Sequence, residues 1–350
     1  MKQMLNTCQM VYHHKNCLNT KKPYAKPCRL CIEACPHQAV SEYREIDAKK
    51  CTECGACMAV CPSDGFVDRS TDLLHTYLEE QGEIILNCPQ AAPLGFEIPC
   101  LGVIDGDLWL ALIHAAKEKN VVIHTGKCAE CPDKKACALS VKTFKAIHES
   151  WPDHPPIVIQ VSPDQPGEAA TPGTGSPSRA ALPQKEPAEK RGWRKKGWEK
   201  LETILPGLTA DEAYPIPRTR QLLVKRMQAY PQDKMPIPAL QVGNICTSCG
   251  VCAAICPQAA LTKRENGDEL TLIYEPYKCV RCQRCVTICN PKALEFVPKQ
   301  LSHRHYTGKI LLHKGSPKHC TRCGKLVFDN SEPPMCVACA SSSGDSIFNA

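Results

Sequence analysis

The chain has 350 residues, of which 26 are cysteine, with a net charge of +7 and only 5% aromatic residues. Cysteine at this density means disulfides or metal, and so few aromatics exclude a large aromatic-rich core, so bound groups are expected to supply part of the folding energy. The charge is mild for the length and suits acidic protein partners or an anionic surface as well as it suits nucleic acid.

The opening stretch, "MKQMLNTCQM", has neither the apolar core nor the small-residue cleavage site of a secretory leader. No run reaches the roughly 18 apolar residues of a membrane span. The expected compartment is therefore the reducing cytoplasm, where thiols ligate metal instead of pairing.

Residues 1–70 hold the first cysteine array. Cys28, Cys31 and Cys35 lie at C-x2-C-x3-C, followed by Pro36, and the place three residues before Cys28 holds Ala25. Cys51, Cys54, Cys57 and Cys61 then form a complete C-x2-C-x2-C-x3-C run followed by Pro62. Three thiols at this spacing wrap one corner each of a cubane, and the fourth points to a second cluster. Cys51, Cys54 and Cys57 would thus share a [4Fe–4S] cluster with Cys35. Cys28, Cys31 and Cys61 need one further ligand. Cys17 is the favoured replacement, because the loop-like segment before Cys28 spans a cluster's width. Cys8 and a three-iron cluster with no fourth thiolate are the alternatives.

Residues 80–162 read as an α/β unit. "GEIILNCPQ" and "GFEIPCLG" are strand-like runs ending at Cys88 and Cys100. "DGDLWLALIHAAKEKN" is an amphipathic helix capped by Asp105 or Asp107. "VVIHTG" is a strand with Cys128 and Cys131 just beyond it, before a helix near 136–149 and a last strand, "PIVIQV". Four thiolates at strand ends suit a [2Fe–2S] cluster. A zinc site, or a redox-active Cys128/Cys131 pair, is the alternative.

Residues 163–190 are rich in Pro, Gly, Ala and Ser and read as a flexible linker. Residues 191–239 read as a helical flank. There "KRGWRKKGWEKLETILPGL" puts Trp193, Trp198, Leu201 and Leu205 on one face, suited to peripheral contact with an anionic membrane, to a partner, or to its own domain. "RTRQLLVKRMQAY" predicts a short helix, basic on its outer face.

Residues 240–300 repeat the first array without the gap. Cys246, Cys249, Cys252 and Cys256 are matched by Cys279, Cys282, Cys285 and Cys289 at the same spacing. One cluster would take Cys246, Cys249, Cys252 and Cys289, the other Cys279, Cys282, Cys285 and Cys256. Gly250 permits the tight loop turn. "LTKRENGDELTLIYEPYK" between the halves predicts a hairpin with an Asn-Gly turn. Zinc does not explain a third cysteine in each loop.

Residues 315–342 hold Cys320-x2-Cys323 and Cys336-x2-Cys339, the spacing of a zinc ribbon, with a further iron site as the alternative and His319 as a neighbour. These sets use every cysteine except Cys8 and Cys137.

The two arrays resemble the bacterial two-[4Fe–4S] ferredoxin family; all eight ligand positions match in the second. "IPCLGVIDGDLWLAL" and "VVIHTGKCAEC" give residues 82–162 a resemblance to the iron–sulfur delta subunit of methyl-viologen-reducing hydrogenases. That resemblance implies a [2Fe–2S] cluster on Cys88, Cys100, Cys128 and Cys131. It also implies electron exchange between a hydrogenase or formate dehydrogenase and a heterodisulfide-reductase-type partner. The expected fold class is α+β: two ferredoxin-like modules, a small α/β iron–sulfur domain and a C-terminal zinc ribbon. There is no G-x-G-x-x-G, no phosphate loop and no H-E-x-x-H, hence no evident small-molecule substrate site. The expectation is an electron-transfer protein without a catalytic site of its own, holding four [4Fe–4S] clusters, one [2Fe–2S] cluster and one Zn. Its partners would be hydrogenase, dehydrogenase or reductase subunits. A non-catalytic subunit named for such a complex and a redox-sensing or nucleic-acid-binding regulator are the rival readings.

Overall fold

The computed structural model describes residues 10–22, 24–67, 70–92, 94–151, 154–161, 216–266, 269–328, 332–336 and 338–339. Residues 1–162 with 216–350 form one compact unit and 163–215 a second, and all the described residues lie in the first. The expected linker, the stretch with Trp193, Trp198, Leu201 and Leu205, and Cys8 lie outside the described residues.

The N-terminal module is small. Strand β1 (Val11–Tyr12) pairs antiparallel with β2 (Phe66–Val67), bringing the two ends of the cysteine array together. Between them run three short helices, α1 (Leu18–Lys21), α2 (Leu30–Ala34) and α3 (Ala56–Ala59). The apolar core holds Met10, Val40 and Phe66 alongside Cys31 and Cys57. So few apolar side chains leave the cysteines, and whatever they bind, as part of the core.

The middle module opens with helix α4 (Ser70–Glu80) and has a four-stranded parallel sheet. Its strands are β3 (Ile84–Asn87), β4 (Phe96–Glu97), β5 (Val121–Thr125) and β6 (Val158–Val161), in the order β4-β3-β5-β6. The apolar runs of β3 and β5 suit the centre of a sheet covered on both faces, and Ile84, Leu86 and Ile123 are fully buried. Helix α5 (Gly106–Ala115) is capped by Asp105, whose Oδ1 accepts from the Leu108 N–H at 2.7 Å. Helix α6 (Lys134–Ser150) packs on α5, where the Trp109 indole donates to Ser140 Oγ at 3.0 Å.

Helix α7 (Arg218–Ala229) begins the C-terminal part and packs on α5. The expected basic outer face needs one correction: Arg220 points inward. Its Nε donates to Asp107 Oδ2 at 2.9 Å, and both residues are buried. Asp107 also accepts from Arg281 at 2.9 Å, and Arg220 donates to the carbonyls of Tyr277 and Cys279 at 3.1 and 2.8 Å. Burial alone would raise the Asp107 carboxyl, but the two guanidiniums hold it below its ordinary range. This network fastens the middle module to the second cysteine array.

Strand β7 (Met235–Val242) starts within the stretch expected to be helical flank. Helix α8 (Val251–Ile255) follows, then β8 (Leu261–Asn266) and β9 (Glu269–Tyr274), the expected hairpin, in full antiparallel register. Helix α9 (Arg284–Ile288) leads to β10 (Leu294–Leu301), which pairs with β7 from Leu294↔Val242 to Leu301↔Met235. After α10 (His303–Thr307), β11 (Ile310–Gly315) adds to the outer side of β9. The tail pairs β12 (Pro317–His319) with β13 (Leu326–Phe328). Among the described residues no helix is long and apolar enough to cross a membrane.

Candidate metal centres

Three of the four half-arrays share one backbone design. In each C-x2-C-x2-C loop the residues flanking the middle cysteine are left-handed: Glu53 and Gly55, Ser248 and Gly250, Arg281 and Gln283. Such turns aim N–H groups inward and build an anion-binding concavity. The loop around Cys28 and Cys31, where Ala25 replaces a cysteine, departs from this. Its Arg29 has φ −127, and α2 starts at once at Leu30.

All four fourth cysteines are treated alike. Cys35, Cys61, Cys256 and Cys289 each accept an N–H from the residue four places on: Ala39 at 3.2 Å, Gly65 at 3.1 Å, Ala260 at 3.3 Å and Ala293 at 3.3 Å. A left-handed residue precedes each donor: Gln38, Asp64, Ala259 and Lys292. Hydrogen bonds of this kind stabilise thiolate charge and tune a cluster.

The structure brings Cys17 to the incomplete set. A Cβ on Gly65 would stand 3.1 Å from Cys61 Sγ and 3.9 Å from Cys17 Cα. Burial first, with Cys61, Cys28 and Cys17 adding to it, pushes the Cys31 thiol up to about 11. Cys57 is raised by burial and by Cys54, Cys35 and Cys51, which gathers the second N-terminal set. In the C-terminal module burial, Cys249 and Cys246 push Cys252 up to about 12, and Cys289 lies in the same group. Cys285 is raised by burial and by Cys279, Cys282 and Cys256. In each array, cysteines of one loop thus lie near the fourth cysteine of the other half.

These sites suit the group they would hold. Buried neighbouring thiols resist ionisation until a metal core supplies positive charge. Cys246, Cys249, Cys252 and Cys289 line one cavity with Gly250 and Leu294. In its loop the buried hydroxyls of Thr247 and Ser248 have no partner among the described residues, which suits donation to a cluster.

In the middle module Cys88 follows β3, while Cys100 and Cys128 lie just beyond β4 and β5, so parallel strands deliver three thiols to one end of the sheet. Cys100 is pushed up to about 12 by burial, with Cys54 and Cys131 contributing. The sequence sets left out Cys137, in the first turn of α6. It is buried and pushed up to about 12 by burial and by its hydrogen bond to Cys128, with Cys100 and Cys88 beside it. Five thiols therefore converge here. The signal in the sequence was a cysteine six residues past the Cys128/Cys131 pair, left over once the other sets were filled.

The tail differs in kind. The sulfur atoms of Cys320, Cys323, Cys336 and Cys339 all lie within 4.8 Å of one another, the one such His, Cys, Asp or Glu group among the described residues. That closeness fits a single ion. Backbone N–H groups, that of Cys336 foremost, bring Cys320 down to about 6. His319 binds the Gly324 carbonyl at 3.0 Å.

Residues 245–293 match a 4Fe-4S dicluster domain and residues 44–66 a 4Fe-4S binding domain. The chain therefore carries ferredoxin-type iron–sulfur domains in both arrays. A ferredoxin of Pyrobaculum islandicum (strain DSM 4184 / JCM 9189 / GEO3) is 47% identical over 51 residues, 15% of this chain and 45% of that ferredoxin. The match thus spans less than half of that relative's length.

Proposed function

We propose that the chain is an electron relay with five redox centres and one structural ion. Four [4Fe–4S] clusters would sit on Cys17, Cys28, Cys31 and Cys61; on Cys35, Cys51, Cys54 and Cys57; on Cys256, Cys279, Cys282 and Cys285; and on Cys246, Cys249, Cys252 and Cys289. A [2Fe–2S] cluster would sit in the middle module on Cys88, Cys100, Cys128 and Cys131, and zinc in the tail. When bound, each cluster accepts and returns one electron.

The observation that carries this reading is that the cysteine sets abut one another in series. The middle set meets the first array where Cys54 and Cys100 share one apolar core and Asp133 accepts from Thr52 and from His37 at 2.7 Å each. The first array meets the second where Lys22 donates to the Cys256 carbonyl at 2.9 Å. The protein's part is to fix spacing, exclude water and tune potentials. The resemblance of residues 82–162 to the hydrogenase delta subunit supports a hydrogenase, dehydrogenase or reductase subunit as partner at the middle module.

Anaerobic reductive titration of the reconstituted chain tests the relay. We expect four to five one-electron equivalents to be taken up per chain and returned to a viologen dye. Iron that binds yet neither takes up nor returns electrons contradicts it.

A further inference from the structure

The seam between the two ferredoxin-type modules is cationic. Arg284 lies between Cys282 and Cys285, yet its side chain reaches into the other module. It is buried, at 4% exposure, and no carboxylate among the described residues lies within ion-pair distance. Its Nη1 donates to the Lys22 carbonyl at 2.7 Å and its Nη2 to Asn19 Oδ1 at 3.3 Å, while the guanidinium lies 5.1 Å over the Tyr24 ring. Asn19 in turn clasps Cys28: Oδ1 accepts the Cys28 N–H at 2.8 Å and Nδ2 donates to its carbonyl at 3.0 Å. One hydrogen-bonded path thus runs from the backbone of Cys28 through Asn19 to Arg284. Lys22 lies alongside, donating to the carbonyls of Ala254 and Cys256 at 2.8 and 2.9 Å, and Lys21 bonds Gln258.

A buried guanidinium without a carboxylate is costly unless something else supplies negative charge. Two thiolate-ligated clusters, one on each side, are anionic and would supply it. We propose that Arg284 is the positioning and tuning residue between the modules: its charge raises the potentials of the two facing clusters, and its bonds to Asn19 and Lys22 hold them in register for transfer. This rests on the cluster assignment above. In the transfer one electron leaves one of these clusters and enters the other, and no bond is made or broken. Removing the charge makes both clusters harder to reduce, because each reduction adds negative charge beside it.

The test is an EPR-monitored redox titration of the full reconstituted chain, with the two facing clusters identified as the signals lost in Cys28→Ser and Cys282→Ser. Arg284→Gln should move both potentials in the negative direction and leave the Cys249-side cluster in place. Arg284→Lys, which keeps the charge, should hold both near their original values even if the Gln variant loads less iron. Potentials unmoved in Arg284→Gln, or an equal shift in the Lys variant, overturn the proposal. A wild-type chain that takes up zinc in place of iron at these sets would instead sink the cluster assignment beneath it.

Discussion

Ala25 leaves the first loop a thiol short, and the β1–β2 pairing draws the segment after Tyr12 back against Gly65 and Cys61. Cys17 thereby lies beside Cys61, within the reach that the loop-like segment before Cys28 allows. Cys17→Ser should cost one N-terminal cluster or convert it to a three-iron form, because a serine oxygen is a harder, poorer ligand for iron than thiolate. The oxidised variant should show a new three-iron EPR signal or lose about four iron per chain, while Cys8→Ser leaves the spectra unchanged. Perturbation by Cys8→Ser alone would move the ligand to Cys8. Part of this was legible: the gap and the two upstream candidates stand in the sequence, but only the strand pairing sets Cys17 beside Cys61. Asp107 gave a subtler lesson. By sequence it is as good a cap for α5 as Asp105, and its burial against two arginines from distant segments has no local signature.

At the scale of elements, short-range chemistry was the readable part. The β8–β9 hairpin, the existence of α5 and the strand ends of the middle module follow from turn residues and apolar runs. Position in three dimensions was not readable, as two glycines show. Gly55 and Gly250 occupy the same left-handed place, each at φ +78, in their loops. A Cβ on Gly250 would meet only the flexible Lys263 side chain at 2.5 Å, whereas one on Gly55 would stand 2.7 Å from Val103 Cβ and 3.1 Å from its Cα. Gly250→Ala should therefore cost about 1–2 kcal/mol from backbone strain alone. Gly55→Ala adds overpacking of about 1–3 kcal/mol and pushes the middle module away from the first array. Chemical denaturation of the loaded protein measures the difference. Equal costs would mean that the Gly55–Val103 contact gives way freely.

At the scale of the whole molecule, the long segment without cluster ligands suggests two separate halves, yet the residues on either side of it pack into one unit. The reason is the Arg220–Asp107–Arg281 network together with the Lys22 and Arg284 contacts, none of which a local pattern announces. The same contacts bring the cysteine sets into a series, on which the proposed relay depends. Anaerobic iron and zinc analysis of the intact chain, with Mössbauer spectroscopy to sort the iron, tests the relay's inventory of centres. A relay of five centres requires about 18 iron, about 16 of them in cubanes, and about one zinc per chain. Two or more zinc with fewer iron would contradict it by making the middle site a zinc site and breaking the series at its first centre.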